Sequence, residues 1–162
     1  MEMNAGRRDA LKAGSAATVY ALALAAGLIR PASAQAQAAW NKAAFDSKAL
    51  PEATKAMGAG QMTESPEVRF TSPTPDIAEN GAVVPITITS GVPKTQQISI
   101  LIPKNPLVLI ASFDLGEGMD PFVSTRVKMG ETSDVYALVK AADGRFFFAK
   151  KEIKVTIGGC GG

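Results

Sequence analysis

The sequence predicts an all-β fold, an immunoglobulin-like antiparallel β-sandwich, preceded by a short N-terminal helical segment and followed by a flexible Gly-Gly-Cys-Gly-Gly arm at 158–162. Three observations carry this. Apolar residues alternate with polar ones from Val68 onward, the period of a strand with one face buried. About seven such runs fit into residues 68–157, each too short for anything but a strand. Turn residues separate them, with Asn80-Gly81, Gly130 and Asp143-Gly144 the clearest. The Cys–Trp–Cys pin of antibody domains is absent, so the relation is one of architecture.

The first 34 residues read as an address rather than part of the fold. Arg7-Arg8 opens them, a mild apolar stretch runs from Ala13 to Ile29, and Pro31-Ala32-Ser33-Ala34 offers a small-residue cleavage site. "GRRDALK" resembles a twin-arginine (Tat) export signal, keeping Arg7, Arg8, Leu11 and Lys12 and departing at Gly6 and Ala10. The apolar stretch is marginal in length and rich in Ala and Gly, so no permanent membrane anchor is expected. The predicted destination is the periplasm. The Tat route carries folded cargo, which suggests export together with a folded partner.

Residues 35–67 are expected to hold a helical segment and a linker. In "WNKAAFDSKALPEATKAMG" (40–58) Pro51 suits a first helical turn and Gly58 a helix end. Trp40, Phe45, Leu50 and Met57 are candidates to dock on a core, and Gly60 to Pro75 reads as linker.

Strands follow in order. Val84, Ile86 and Ile88 alternate with Pro85, Thr87 and Thr89; Ile98, Ile100 and Ile102 with Gln97 and Ser99. "PLVLIASF" (106–113) is apolar on both faces. Val123, Thr125, Val127 and Met129 alternate with Ser124, Arg126 and Lys128, and Val135, Ala137 and Val139 come next. Asp143-Gly144 then signals a hairpin into "RFFFAKKEIKVTI". Phe146, Phe147 and Phe148 cannot all point inward on a regular strand. With unbroken alternation Phe147 shares a face with Ile153, Val155 and Ile157, and Phe146 and Phe148 lie opposite. Two resolutions stand open: a bulge near Lys150-Lys151 that swaps the faces, or a subunit interface.

Composition excludes several chemistries. The 162 residues include no histidine and one cysteine. The usual zinc sites and the Cys–His and Ser–His nucleophile pairs are therefore not available within the chain. Residues 1–34 hold Arg7, Arg8, Lys12 and Arg30 against Glu2 and Asp9, and beyond them 13 basic and 13 acidic residues cancel. A neutral body has no long-range pull on nucleic acid or anionic lipid. Glu117, Asp120, Glu131 and Asp134 match no calcium loop and read as solvated charges. No metal, cofactor or catalytic residue is assigned.

The cysteine is Cys160, flanked by Gly158, Gly159, Gly161 and Gly162. A lone thiol in an exported chain is exposed to oxidants, and one at a chain end is no buried core residue. The glycines remove side-chain bulk and widen the accessible φ and ψ, giving flexibility and clearance. Cys160 lies three positions beyond Ile157, a reach of about 10 Å. With no histidine to pair with and no helix N-terminus predicted nearby, the thiol is expected near or above the reference pKa of about 8.5. The chemistry must then come from whatever receives the arm, so Cys160 is a handle rather than a catalyst.

The "GGCGG" ending on an exported immunoglobulin-like chain resembles the SoxY family, sulfur-carrier subunits of the periplasmic Sox thiosulfate-oxidising system. "DIAENGAVVPITI" (76–88), "DPFVSTRVKM" (120–129) and "KEIKVTIGGCGG" (151–162) look like segments of that family, and "KNPLVLIASFDLG" (104–116) matches more loosely. The resemblance implies a non-catalytic covalent carrier with Cys160 as the attachment point. It implies a SoxZ-like subunit as heterodimer partner, a c-type cytochrome complex that conjugates thiosulfate and a metal-dependent hydrolase that releases sulfate. In systems that have one, a sulfane dehydrogenase is a further partner. Haem and metals belong to those enzymes.

Two other readings compete. An exported structural or adhesion sandwich would use Cys160 for an interchain disulfide, visible as a stable homodimer on non-reducing electrophoresis. A ubiquitin-like sulfur carrier would use Gly161-Gly162 as a thiocarboxylate, but it needs cytoplasmic activation and a sheet wrapped on a central helix, which this pattern lacks.

Overall fold

The computed structural model describes residues 41–158. Two short helices lead: α1 (Lys42–Phe45) and α2 (Leu50–Ala56). Asn41 caps α1, its Oδ1 accepting from Ala44 N at 3.1 Å. Pro51 sits in the first turn of α2, where no N–H is needed, and Gly58 takes φ +79° just past its end.

Nine strands follow: β1 (Met62–Glu64), β2 (Val68–Phe70), β3 (Ile77–Asn80), β4 (Val84–Ser90), β5 (Thr95–Leu101), β6 (Leu109–Asp114), β7 (Phe122–Val127), β8 (Ser133–Ala141) and β9 (Phe146–Ile157). They form an immunoglobulin-like sandwich. One sheet has the order β1-β9-β8-β5-β6, with β3 also on β9; the other is β2-β4-β7. β1 falls within 35–67, expected to hold only helix and linker, and β2 opens the sandwich at Val68, inside the Gly60–Pro75 stretch that also reads as linker. These strands have only three residues each, too few for a period to register.

β9 organises the larger sheet. On one edge it pairs antiparallel with β8 from Phe146 to Ile153. On the other, β1 runs parallel against Phe146–Phe148 and β3 parallel against Lys154–Ile157. Between β1 and β3 the chain visits the other sheet as β2, so both sheets share this edge.

Val84, Ile86, Ile88, Ile98, Ile100, Val135, Val139 and Ile153 form the core between the sheets. The β8–β9 register runs unbroken from Ser133↔Ile153 to Lys140↔Phe146. This corrects the bulge alternative: the alternation persists through Lys150-Lys151. Lys151 therefore stands among inner-face positions, and its Nζ leaves the core to meet Asp76 Oδ1 at 2.9 Å. The outward-facing phenylalanines have partners within the chain. Phe146 and Phe148 face a second cluster with Leu101, Val108, Leu109 and Leu138, closed by Ala44 and Ala53 of the two helices. The two helices cover part of the larger sheet's outer face. The doubly apolar run at 107–111 has the same cause: Leu109 packs outward beneath the helices and Ile110 against the inter-sheet core.

The β8–β9 hairpin turns on Gly144 at φ +84°, whose N–H donates to Ala141 O at 3.0 Å. Arg145 Nε donates to Asp143 Oδ2 at 2.7 Å and Arg145 N to Asp143 Oδ1 at 3.0 Å. These hydrogen bonds hold the Asp143 carboxyl below the usual carboxylate range. A carboxyl whose folded pKa is depressed stabilises the fold above its unfolded pKa and loses that contribution as pH falls through the folded value. Arg145→Ala is expected to move the Asp143 titration midpoint up toward the ordinary aspartate value, read by carboxyl NMR. An unmoved midpoint would mean that the pair does not form in solution.

Candidate functional site

Cys160, Gly159, Gly161 and Gly162 lie outside the described residues. The structure does describe where the chain leaves the sandwich toward them. Three loops meet there. Ile157 O, at the end of β9, accepts from Gly81 N at 2.7 Å, and Gly81 O accepts from Met129 N at 2.7 Å. Val155 N donates to Thr132 Oγ1 at 3.0 Å, and Thr156 Oγ1 donates to Glu79 O at 2.9 Å. Asn80 Oδ1 accepts from Ala82 N at 2.8 Å, which folds the chain sharply around Gly81. The final residues of β9 are thus tied to the β3–β4 and β7–β8 loops.

At Gly158 the requirement for glycine is one of space. A Cβ there would overlap the carbonyl oxygen of Gly130. Gly130 N donates to Asn105 Oδ1 at 3.1 Å, and Asn105 Nδ2 donates to Lys128 O at 2.7 Å. One side chain from the β5–β6 loop therefore braces the turn on which Gly158 rests. Around this end Val83 and Ile157 are exposed, Ile157 by 68%.

Sequence reasoning marked Asn80-Gly81 and Gly130 as turn punctuation and passed over Asn105. No spacing along the chain relates residues 81, 105, 130 and 158. Their meeting follows from strand register.

The four acidic residues are divided between two places, and Asp134 lies within β8. Glu117 and Asp120 precede β7, and Glu131 and Asp134 lie beyond its far end. Among the described residues no cluster of acidic side chains is arranged to hold a metal ion. An open concavity of about 480 Å³ is bordered by Lys94, Leu115, Glu117, Met119 and Ala142.

Against known proteins the pattern is as follows. No curated protein sequence matches the chain. Among solved structures it is similar to the sulfur carrier protein SoxY from Chlorobium limicola f thiosulfatophilum, at 38% identity and a TM-score of 0.56, covering 64% of this chain and 94% of that one. It also resembles the superoxide reductase (neelaredoxin) from Ignicoccus hospitalis at 16% identity and a TM-score of 0.47, over 54% of this chain and 79% of that one. The family described as sulfur oxidation protein SoxY matches residues 53–160, which takes in α2 from Ala53 onward, every strand and the cysteine itself. A match over that much of the sandwich, running through Gly158 and Gly159 to the one thiol, places this chain in the SoxY family of sulfur oxidation proteins.

Proposed function

We propose that the protein is a periplasmic sulfur carrier in thiosulfate oxidation, holding intermediates covalently on Cys160 and presenting them to partner enzymes. The observation that carries this reading is the family match that runs to Cys160, the only thiol of a chain with no histidine. A chain without histidine lacks the commonest base for activating a thiol, which suits a substrate handle that other active sites work on.

The proposed cycle begins when the Cys160 thiolate and the outer sulfur of thiosulfate form an S–S bond. Two electrons leave to the haem of a c-type cytochrome complex, and Cys–S–S–SO₃⁻ remains. A metal-dependent hydrolase adds water across the S–SO₃⁻ bond. Sulfate and two protons leave, and a cysteine persulfide anion, Cys–S–S⁻, stays on the arm. Where the system has a sulfane dehydrogenase, that enzyme passes six electrons from the outer sulfur to an external c-type cytochrome acceptor while three waters supply oxygen and release six protons, giving Cys–S–SO₃⁻; a last hydrolysis releases sulfate and restores the thiol. Covalent retention keeps the intermediate at high effective concentration for each enzyme in turn.

A SoxZ-like subunit is the proposed heterodimer partner. Exposed Val83 and Ile157 beside the arm root support docking of other proteins at that end. Export by the twin-arginine route, led by Arg7-Arg8, accords with a carrier that leaves the cytoplasm already folded with its partner.

Intact-mass analysis of the protein from its own source tests the reading. Sulfane or thiosulfonate adducts on Cys160 are expected. A homogeneous disulfide-linked homodimer without sulfur adducts would favour the structural alternative instead.

A further inference from the structure

We infer that Gly158 is a positioning residue, a fixed pivot that sets where the sulfur-bearing cysteine emerges, and that Asn105 holds the surface it pivots on. The inference rests on the carrier reading above and deepens it. Glycine is needed at 158 because its Cα lies against the Gly130 carbonyl oxygen, with no room for a methyl group. That contact involves two backbone segments, neither of which yields as a side chain would. Gly91 offers the contrast: a Cβ there would overlap the Glu67 carboxylate, which can swing away, and meet the Glu67 backbone oxygen only at ordinary contact distance.

The Gly130 carbonyl cannot retreat freely either. Its turn is held from one side by Asn105, which bonds both Gly130 N and Lys128 O. It is held from the other by Met129 N on Gly81 O, and Gly81 in turn holds Ile157 O through its own N–H. A closed ring results: Ile157 to Gly81, Gly81 to Met129, Gly130 to Gly158. Relief of a methyl group at 158 would have to break one of these bonds.

The chain is therefore fixed one residue further than the end of β9. Cys160 lies two residues past Gly158, so its reach from the fixed point is about 7 Å rather than the 10 Å counted from Ile157. A shift of about an ångström or two at the root is a sizeable part of so short a reach, and misplacement of a reacting atom by about 1 Å can cost up to a hundredfold in rate.

The test uses the full-length protein with its partner subunit and compares two reactions of Cys160. Alkylation by iodoacetamide needs only an accessible thiol; conjugation of thiosulfate by the cytochrome complex needs a placed one. For Gly158→Ala we expect alkylation within about twofold of wild type and a fall in kcat for conjugation of about tenfold or more, with KM little changed because docking surfaces are intact. Asn105→Ala, which frees the Gly130 turn without forcing an overlap, should lower kcat in the same direction and serves if Gly158→Ala does not fold. Wild-type kcat in both variants overturns the inference, and so does a parallel fall in alkylation and conjugation. A wild-type protein that accepts no sulfur overturns the carrier reading instead, so the two failures are distinguishable.

Discussion

Cys160→Ser is expected to abolish sulfur loading completely and to leave the fold unchanged. The hydroxyl that replaces the thiol forms no S–S bond with thiosulfate, and the chain contains no second sulfhydryl to substitute. Stability should stay within about 0.5 kcal/mol of wild type, the range of substitutions outside packed structure. The described core lies between residues 44 and 153, and Ile157, the last strand residue, is already two-thirds exposed. Intact mass after incubation with thiosulfate and the conjugating enzymes reads the first effect, and urea unfolding the second. A variant that still takes up sulfur would move the attachment site to another group and sink the Cys160 mechanism. A variant that unfolds would show that the arm is part of the fold.

Much of this arrangement is legible in the sequence because its elements are local. Val84, Ile86 and Ile88 alternate in the sequence and alternate inward in β4. Asp143-Gly144 marks a turn, and Gly144 takes the left-handed conformation that only glycine adopts without strain. Pro51 and Gly58 bracket α2 as their backbone preferences require. The cysteine stands out by composition alone.

What escapes the sequence is what register decides. The parallel addition of β1 and β3 to one edge of β9 joins Met62 to Phe146 and Asn80 to Ile157, across more than seventy residues. No period announces such a pairing, and strands of three residues carry too few side chains to show one. The cradle beneath Gly158 has the same origin. Asn105 and Gly130 are ordinary loop residues until two loops and the end of β9 converge. The four acidic residues show the reverse case. They look like a set in one dimension, but β7 lies between Asp120 and Glu131.

The three consecutive phenylalanines give the largest expected effect on stability. Phe146→Ala should cost about 3 kcal/mol or more, the usual range for a buried phenylalanine, and Phe147→Ala distinctly less. Phe146 is 6% exposed and sits in the cluster that joins the outer face of the larger sheet to α1 and α2. It pairs with Met62 of β1 and Lys140 of β8, and the Lys140 ammonium lies 5.8 Å from its ring centre. Truncation leaves a cavity beneath two helices of four and seven residues, too short to hold their conformation without that contact. Phe147 points the other way, half-buried at the rim of the inter-sheet core with Arg145 5.3 Å from its ring, and solvent can fill the space it leaves. Urea unfolding of the two variants measures the difference. Sedimentation of the same samples separates two causes. If the helices are what Phe146 supports, stability falls while the mass of the assembly stays constant. If the outer face were instead a contact between subunits, Phe146→Ala would reduce the mass, and the assignment of the helices as its cover would be wrong.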